Sequence, residues 1–261
     1  MARATVRRRL TWQVADVTAV ARESARCVRI GLVPPAWGGH VPGQHVDVRL
    51  TAEDGYTAQR SYSIASPPGT EGTEGTAGFE LVVERLPDGE VSPYLADELR
   101  VGDQLELRGP IGGHFVWPHP GDPWAPLLLV AGGSGVVPML AMLGHHRRTG
   151  SDVPVRLLYS VRADDDVLGR AELAPRPGLD VVLTYTRTPP AGWSGATGRI
   201  DAALLESHGL PPTVDPAVYV CGPTPFVEVV AQALVALGHD GSRIRTERFG
   251  GMGEAPTGGA P

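Results

Sequence analysis

The stretch Leu127–Leu140, LLLVAGGSGVVPML, limits the fold more than any other part of the chain. Leu127 to Ala131 is wholly apolar, as in a strand buried on both faces of a parallel sheet. Gly132, Gly133 and Gly135 follow at once, and an apolar helical pattern runs on through Met139, Leu140 and Leu143. Strand, glycine turn and helix in that order aim backbone N–H groups and a helix N-terminus at a phosphate. The spacing is not GxGxxG, and in isolation the stretch equally fits a buried strand that ends in a bland glycine turn.

What surrounds it decides between these readings. Downstream, strand and helix signals alternate. Strand Val155–Ser160 is followed by a helix around Asp166–Leu173, and strand Asp180–Thr186 by helix Asp201–His208. Strand Ala217–Cys221 then leads to helix Thr224–Leu237 and a last strand Ile244–Phe249. Such alternation predicts a parallel sheet covered by helices, here over residues 121–249. Residues 1–120 read differently. Short runs at Thr11–Val20, Arg26–Leu32, His45–Leu50, Arg60–Ala65, Phe79–Glu84 and Gln104–Arg108 are separated by turn signals such as PPAWGG, LPDG and VGD. This suggests an antiparallel barrel or sandwich, with one helix at Ser92–Leu99 opened by Ser92–Pro93. The Gly69–Gly78 repeat GTEGTEGTAG is expected to be a flexible hairpin loop, and residues 250–261 a disordered tail. The architecture expected is a β-barrel followed by an α/β nucleotide-binding domain, divided at the proline-rich segment 118–123.

Composition narrows the function classes. A chain of 261 residues suits two domains of ordinary size. A net charge of −6 argues against bulk nucleic-acid affinity, and all 23 basic residues are arginine, with no lysine. Two cysteines, Cys27 and Cys221, are too few for an iron–sulfur cluster or a disulfide framework. The N-terminus lacks the apolar stretch of a secretory signal, and no apolar run reaches a membrane span, so a cytoplasmic protein without membrane association is expected. The eight histidines show no HxxxH or HExxH spacing, so no metal site is expected. Asp164–Asp166 read as a solvated loop at a helix start, and the five tryptophans as packing or loop anchors.

Three further stretches carry chemistry. Arg60-Ser61-Tyr62-Ser63 puts a guanidinium and an aromatic ring on one face of a strand, suited to a phosphate and a planar heterocycle. Gly89-Glu90-Val91-Ser92 ends a turn and opens the predicted helix, offering free N–H groups to a second phosphate. Cys221-Gly222-Pro223 ends a strand at the sheet edge where ligands bind in open α/β sheets.

Together these residues resemble the ferredoxin–NADP reductase superfamily, over roughly Thr11 to Phe249. The RxYS strand of that family is similar to Arg60–Ser63, its GxxS helix start to Gly89–Ser92, its GGxGxxP turn to Gly132-Gly133-Ser134-Gly135-Val136-Val137-Pro138, and its CGP turn to Cys221–Pro223. The resemblance implies FAD as cofactor, with Arg60 on its pyrophosphate, Tyr62 packed on the isoalloxazine and Ser63 near N5. It implies a second hold on the pyrophosphate by Gly89, Glu90, Val91 and Ser92. Gly132, Gly133, Ser134, Gly135 and Pro138 would receive a nicotinamide dinucleotide, with Cys221, Gly222 and Pro223 beside the nicotinamide. Glu247 resembles the carboxylate near the flavin, and Phe249 stands where plant-type members carry a terminal aromatic residue, although this chain continues past it. Ser63, Cys221 and Glu247 are the catalytic candidates that the resemblance implies.

The function so implied is hydride transfer from NADPH, with NADH possible, onto FAD. Electrons then pass to a separate acceptor such as a ferredoxin or an oxygenase component, because the chain has no cysteine set for a fused cluster. A flavin, ferric or small-molecule reductase of the same fold is the alternative, and a non-catalytic nucleotide-binding subunit a more distant one. Arg162, Arg187 and Arg199 fall after strands or at a helix start where a 2′-phosphate would bind, and Thr186-Arg187 resembles the Ser–Arg pair of NADPH-dependent members.

Overall fold

The computed structural model describes residues 10–70, 77–121 and 123–249. The tail after residue 249 and residues 71–76 of the Gly69–Gly78 repeat lie outside them. Six strands build the first half: β1 Gln13–Arg22, β2 Cys27–Val33, β3 His45–Thr51, β4 Thr57–Ser63, β5 Phe79–Glu84 and β6 Gln104–Ile111. They pair antiparallel in the order β4-β3-β6-β1-β2-β5. Ile64, just past β4, bridges Leu81 of β5 and brings the two edges of the sheet together. Inside lie Val46, Val48, Ile30, Leu81 and Leu107, contributed by alternate positions of their strands. Leu95 and Leu99, from the short helix after β5, cover one end of this core. That helix is π-like over Tyr94–Glu98, with the Leu99 N–H bonding back to the Tyr94 carbonyl.

The second half holds five parallel strands: β7 Leu127–Gly132, β8 Val155–Ala163, β9 Leu179–Thr188, β10 Ala217–Pro223 and β11 Ile244–Phe249. Their order is β11-β10-β7-β8-β9, so the chain reverses direction across the sheet between β7 and β10. Every residue of β7 is buried, as its uninterrupted apolar run requires. Helices α1 Val137–Thr149, α2 Ala202–His208 and α3 Thr224–Ala236 pack on the faces. Asp201 caps α2, its carboxylate accepting the Leu204 N–H at 2.9 Å. No helix of the described residues is long and apolar enough to cross a membrane.

The two halves share a core. Cys27, Val82, Phe115 and Trp117 pack with Leu129, Met139, Met142 and Tyr219 in one cluster. The Tyr219 hydroxyl donates to the Val116 carbonyl at 2.6 Å, and Phe115 meets the Tyr219 ring edge-on at 5.2 Å.

Three expectations need correction. No α-helix covers Asp166–Leu173: a 3-10 turn at Asp164–Asp166 is followed by irregular turns. Gly169 has φ +68°, and a β-carbon there would strike the Leu140 side chain, so a helix cannot pass through it. Asp164–Asp166 are not a merely solvated loop either. Asp164 accepts from the Tyr185 hydroxyl at 2.8 Å and pairs with Arg170 at 2.8 Å. Finally, Trp124 is 82% exposed and so is no packing anchor, whereas Trp117 is buried against His145 and His146.

Candidate functional site

Arg60 and Tyr62 lie on the same face of the sheet as Val48 and Val46, their partners on the neighbouring strand β3. Tyr62 packs on the barrel core, and burial pushes its hydroxyl up to about 12. Arg60 stays exposed. Ser61 points to the other face, where its hydroxyl donates to Asp47 Oδ1 at 2.6 Å. Arg108 Nε donates to Asp47 Oδ2 at 2.9 Å, so Ser61 is tied into the sheet. Ser63, half-buried, pairs with His45 at the end of the strand.

The Gly89–Ser92 turn meets this strand directly. Arg60 Nη2 stands 2.8 Å from Glu90 Oε2, and the Tyr56 hydroxyl donates to Glu90 Oε1 at 2.8 Å. The Tyr56 bond first, and then the Arg60 guanidinium, hold the Glu90 carboxyl below the usual range. A negatively charged oxygen therefore already sits on the guanidinium that was expected to receive a phosphate. Ser92 is not a side-chain cap. Its hydroxyl accepts the Leu86 N–H at 3.1 Å and fixes the turn, and a β-carbon on Gly89 would lie 2.8 Å from that oxygen. Val91 is fully buried beneath it.

In the α/β half, the glycine turn and the Cys-Gly-Pro turn meet where the strand order reverses. Cys221 pairs with Ala131 on one side and Glu247 on the other, and Pro223 with Phe249. A β-carbon on Gly135 would overlap the carbonyl of Cys221, so only glycine lets the start of α1 approach β10 this closely. Gly132 and Gly222 face each other beneath the Phe226 ring, which a β-carbon on Gly222 would meet at 2.6 Å. Gly133 has φ +56° with open space on its side-chain face. Such a turn leaves its N–H groups free to approach an anion. Pro138 sits in the first turn of α1, where its missing N–H costs nothing.

Cys221 is buried, and burial first, with the neighbouring Glu247 charge second, pushes its thiol well up. Glu247 is half-buried, and burial pushes its carboxyl up to about 7. Phe249, at the end of β11, is 36% exposed. The two pairs of motifs are joined at one point. Ser134 Oγ, in the glycine turn, donates to Glu84 Oε2 at 2.7 Å at the end of β5, the strand that leads into the Gly89 turn.

Arg162 and Arg187 lie at adjacent strand ends, β8 and β9. A register shift around Arg162 sets Val161 opposite Tyr185 and Ala163 opposite Thr188. Arg199 joins them, because Thr197 bridges Tyr185 and the Gly198 N–H bonds to the Tyr185 carbonyl. All three are exposed, and none makes an ion pair among the described residues. Glu84, Tyr56 and Phe226 touch these motifs but gave no signal in the sequence, since each acts through a partner distant along the chain. Among the described residues no group of three or more His, Cys, Asp or Glu side chains could hold a metal ion.

Comparison with known proteins identifies the arrangement. Residues 13–117 match the oxidoreductase FAD-binding domain family, and residues 129–232 the oxidoreductase NAD-binding domain family. The chain is 33% identical over 215 residues to the glycine betaine monooxygenase reductase subunit of Chromohalobacter salexigens, covering 80% of this chain and 56% of that protein. It therefore spans a little over half the length of that curated relative. It is 31% identical to NADH-cytochrome b5 reductase 1 of Lodderomyces elongisporus, over 85% of this chain and 73% of that one. Among solved structures, the flavohem-like FAD/NAD binding domain of nitric oxide dioxygenase from Vibrio cholerae superposes with a TM-score of 0.77 at 27% identity. The match covers 92% of this chain and 99% of that one. The Amycolatopsis cytochrome P450 reductase gives 0.78 at 26% identity, over 94% and 72% of the two chains. The chain belongs to the ferredoxin–NADP reductase superfamily, with a FAD-binding domain followed by a NAD-binding domain.

Proposed function

We propose that the protein is an FAD-dependent NAD(P)H oxidoreductase that takes a hydride from NADPH and delivers electrons to a separate acceptor, a ferredoxin or an oxygenase component. The observation that carries this reading is the pairwise convergence of four stretches distant in sequence, Arg60–Ser63 with Gly89–Ser92 and Gly132–Gly135 with Cys221–Pro223. Bound flavin accepts a hydride at N5 and gives up electrons one at a time, which is the chemistry an obligate hydride donor cannot supply alone.

The chain's residues would bind and orient. Arg60 and the N–H groups of Glu90–Ser92 would hold the FAD pyrophosphate, with Glu90 giving way. The Gly89 N–H, against expectation, is spent on the Leu86 carbonyl at 3.0 Å. Tyr62 packs against the isoalloxazine, and Ser63 supplies a hydroxyl near N5. The Gly132–Gly135 turn and the start of α1 at Pro138 hold the dinucleotide. Cys221, Gly222 and Pro223 place the nicotinamide, and the buried thiol keeps water from it. Glu247, whose carboxyl burial pushes up to about 7, would hold a proton at that edge. Phe249, opposite Pro223 at the strand ends, would stand beside the flavin. Arg162, Arg187 and Arg199, which make no ion pair among the described residues, favour NADPH, because a 2′-phosphate needs available cations.

The division of the chain at residues 120 and 121 is supported by the change from antiparallel to parallel pairing across it. A cytoplasmic location is supported by two free, buried cysteines. The acceptor class is tested by steady-state NADPH oxidation against ferredoxins, cytochrome c, ferricyanide and free flavin. Turnover faster with a ferredoxin or an oxygenase component than with free flavin is expected. The reverse ranking favours a flavin reductase.

A further inference from the structure

Ser134 carries the polar side chain of the glycine turn, and its proton is committed to the other domain, to Glu84 Oε2 at 2.7 Å. Glu84 Oε1 pairs with Arg26 Nη1 at 3.3 Å, and Arg26 Nη2 reaches Asp166 of the α/β half at 3.4 Å. A chain of charge thus runs from Asp166 of the α/β half through Arg26, just before β2, to Glu84 of β5 and back to the glycine turn. The far end of the turn is held by packing, with Gly135 against the Cys221 backbone, but Gly133 at its start is left-handed with open space beside it.

We propose that Glu84 is a positioning residue for the pyridine-nucleotide site, fixing the glycine turn through the Ser134 hydroxyl. This rests on the reading of that turn as the nucleotide-binding one. A serine hydroxyl has one proton to give, so while it is given to Glu84 it cannot be given to a phosphate. Ser134 then serves binding through its backbone, and its side chain serves to aim that backbone. An O–H···O⁻ bond is of the strong, charge-assisted kind, able to fix the start of the turn beside the left-handed Gly133. Arg26 offsets the charge of Glu84, which would otherwise repel an approaching pyrophosphate. Because the anchor is on the barrel, the turn is set relative to the flavin-binding half.

The test is a double-mutant cycle in the full, FAD-loaded chain, with NADP+ binding read by calorimetry and FAD content and thermal midpoint recorded beside it. Glu84→Ala and Ser134→Ala should each weaken NADP+ about five- to tenfold, and the double variant should be no weaker than either, since all three lack the same bond. Glu84→Gln, which keeps an acceptor oxygen, should stay within about threefold of wild type. In turnover KM for NADPH should rise while kcat changes little, with FAD content unchanged. Wild-type affinity in both single variants, or losses that multiply in the double variant, would overturn the role of Glu84. So would a loss that follows falling FAD content. A wild-type protein that binds neither NADP+ nor NADH would instead overturn the nucleotide-site reading on which the proposal stands.

Discussion

Gly135 lies so close to Cys221 that a β-carbon on it would overlap the Cys221 carbonyl and stand 2.7 Å from the Gly222 nitrogen. Both atoms are backbone, so neither can swing away. Gly135→Ala must therefore push the start of α1 from β10 and open the junction of the two turns. A loss of at least roughly 2 kcal/mol in denaturant unfolding is expected. Gly133→Ala meets no neighbour and carries only the strain of its positive φ, a cost of about 1 kcal/mol. Equal losses in the two variants would contradict the crowding at Gly135.

Arg60 and Glu90 should act on FAD affinity in opposite directions. Arg60→Ala removes a charge-assisted contact to phosphate, a loss of roughly 1.5–3 kcal/mol. Glu90→Gln frees the guanidinium that the carboxylate occupies at 2.8 Å, so FAD should bind tighter. Equilibrium dialysis decides both. Unchanged affinity in Arg60→Ala would remove this residue from the phosphate site.

Much of this was legible in the sequence, for a local reason. β7 reads as a buried strand because all its residues are apolar, and β11, Ile244–Phe249, reads as the strand that closes the strand–helix alternation. The glycine and Cys-Gly-Pro turns are local motifs, so their positions at strand ends were visible. What stayed hidden depends on partners far along the chain. The segment 166–173 has helical composition, but Gly169 is held by the Glu23 carboxylate, which accepts its N–H at 2.9 Å from the other half. The grip of Glu90 on Arg60 and of Glu84 on Ser134 likewise has no local signature.

Glu247 gives a pH dependence of definite sign. Burial raises its carboxyl from 4.5 to about 7, so the folded state favours the protonated form. Its contribution to stability is complete below pH 4.5 and is lost as the pH rises through 7. The loss is at most about 3 kcal/mol. Glu247→Gln should therefore gain on wild type as the pH rises through this window and hold its gain above it. Thermal midpoints of the two proteins across the range check this, and a constant difference would contradict a raised carboxyl.

Arg187 and Arg199 stand exposed near the end of β9, with no ion pair among the described residues. Replacing both by alanine should raise KM for NADPH tenfold or more, because two guanidinium contacts to a 2′-phosphate are lost. KM for NADH should change less than about twofold, since it has no such group. Parallel losses on both nucleotides would show that these residues serve the shared part of the dinucleotide.

The most direct measurement is anaerobic rapid mixing of the FAD-loaded protein with NADPH and, separately, NADH, following the flavin absorbance. Rapid single-turnover bleaching by NADPH, faster at subsaturating nucleotide than by NADH, is the expected result. A protein that takes up no FAD, or whose bound FAD neither nucleotide bleaches, would contradict hydride transfer as its function.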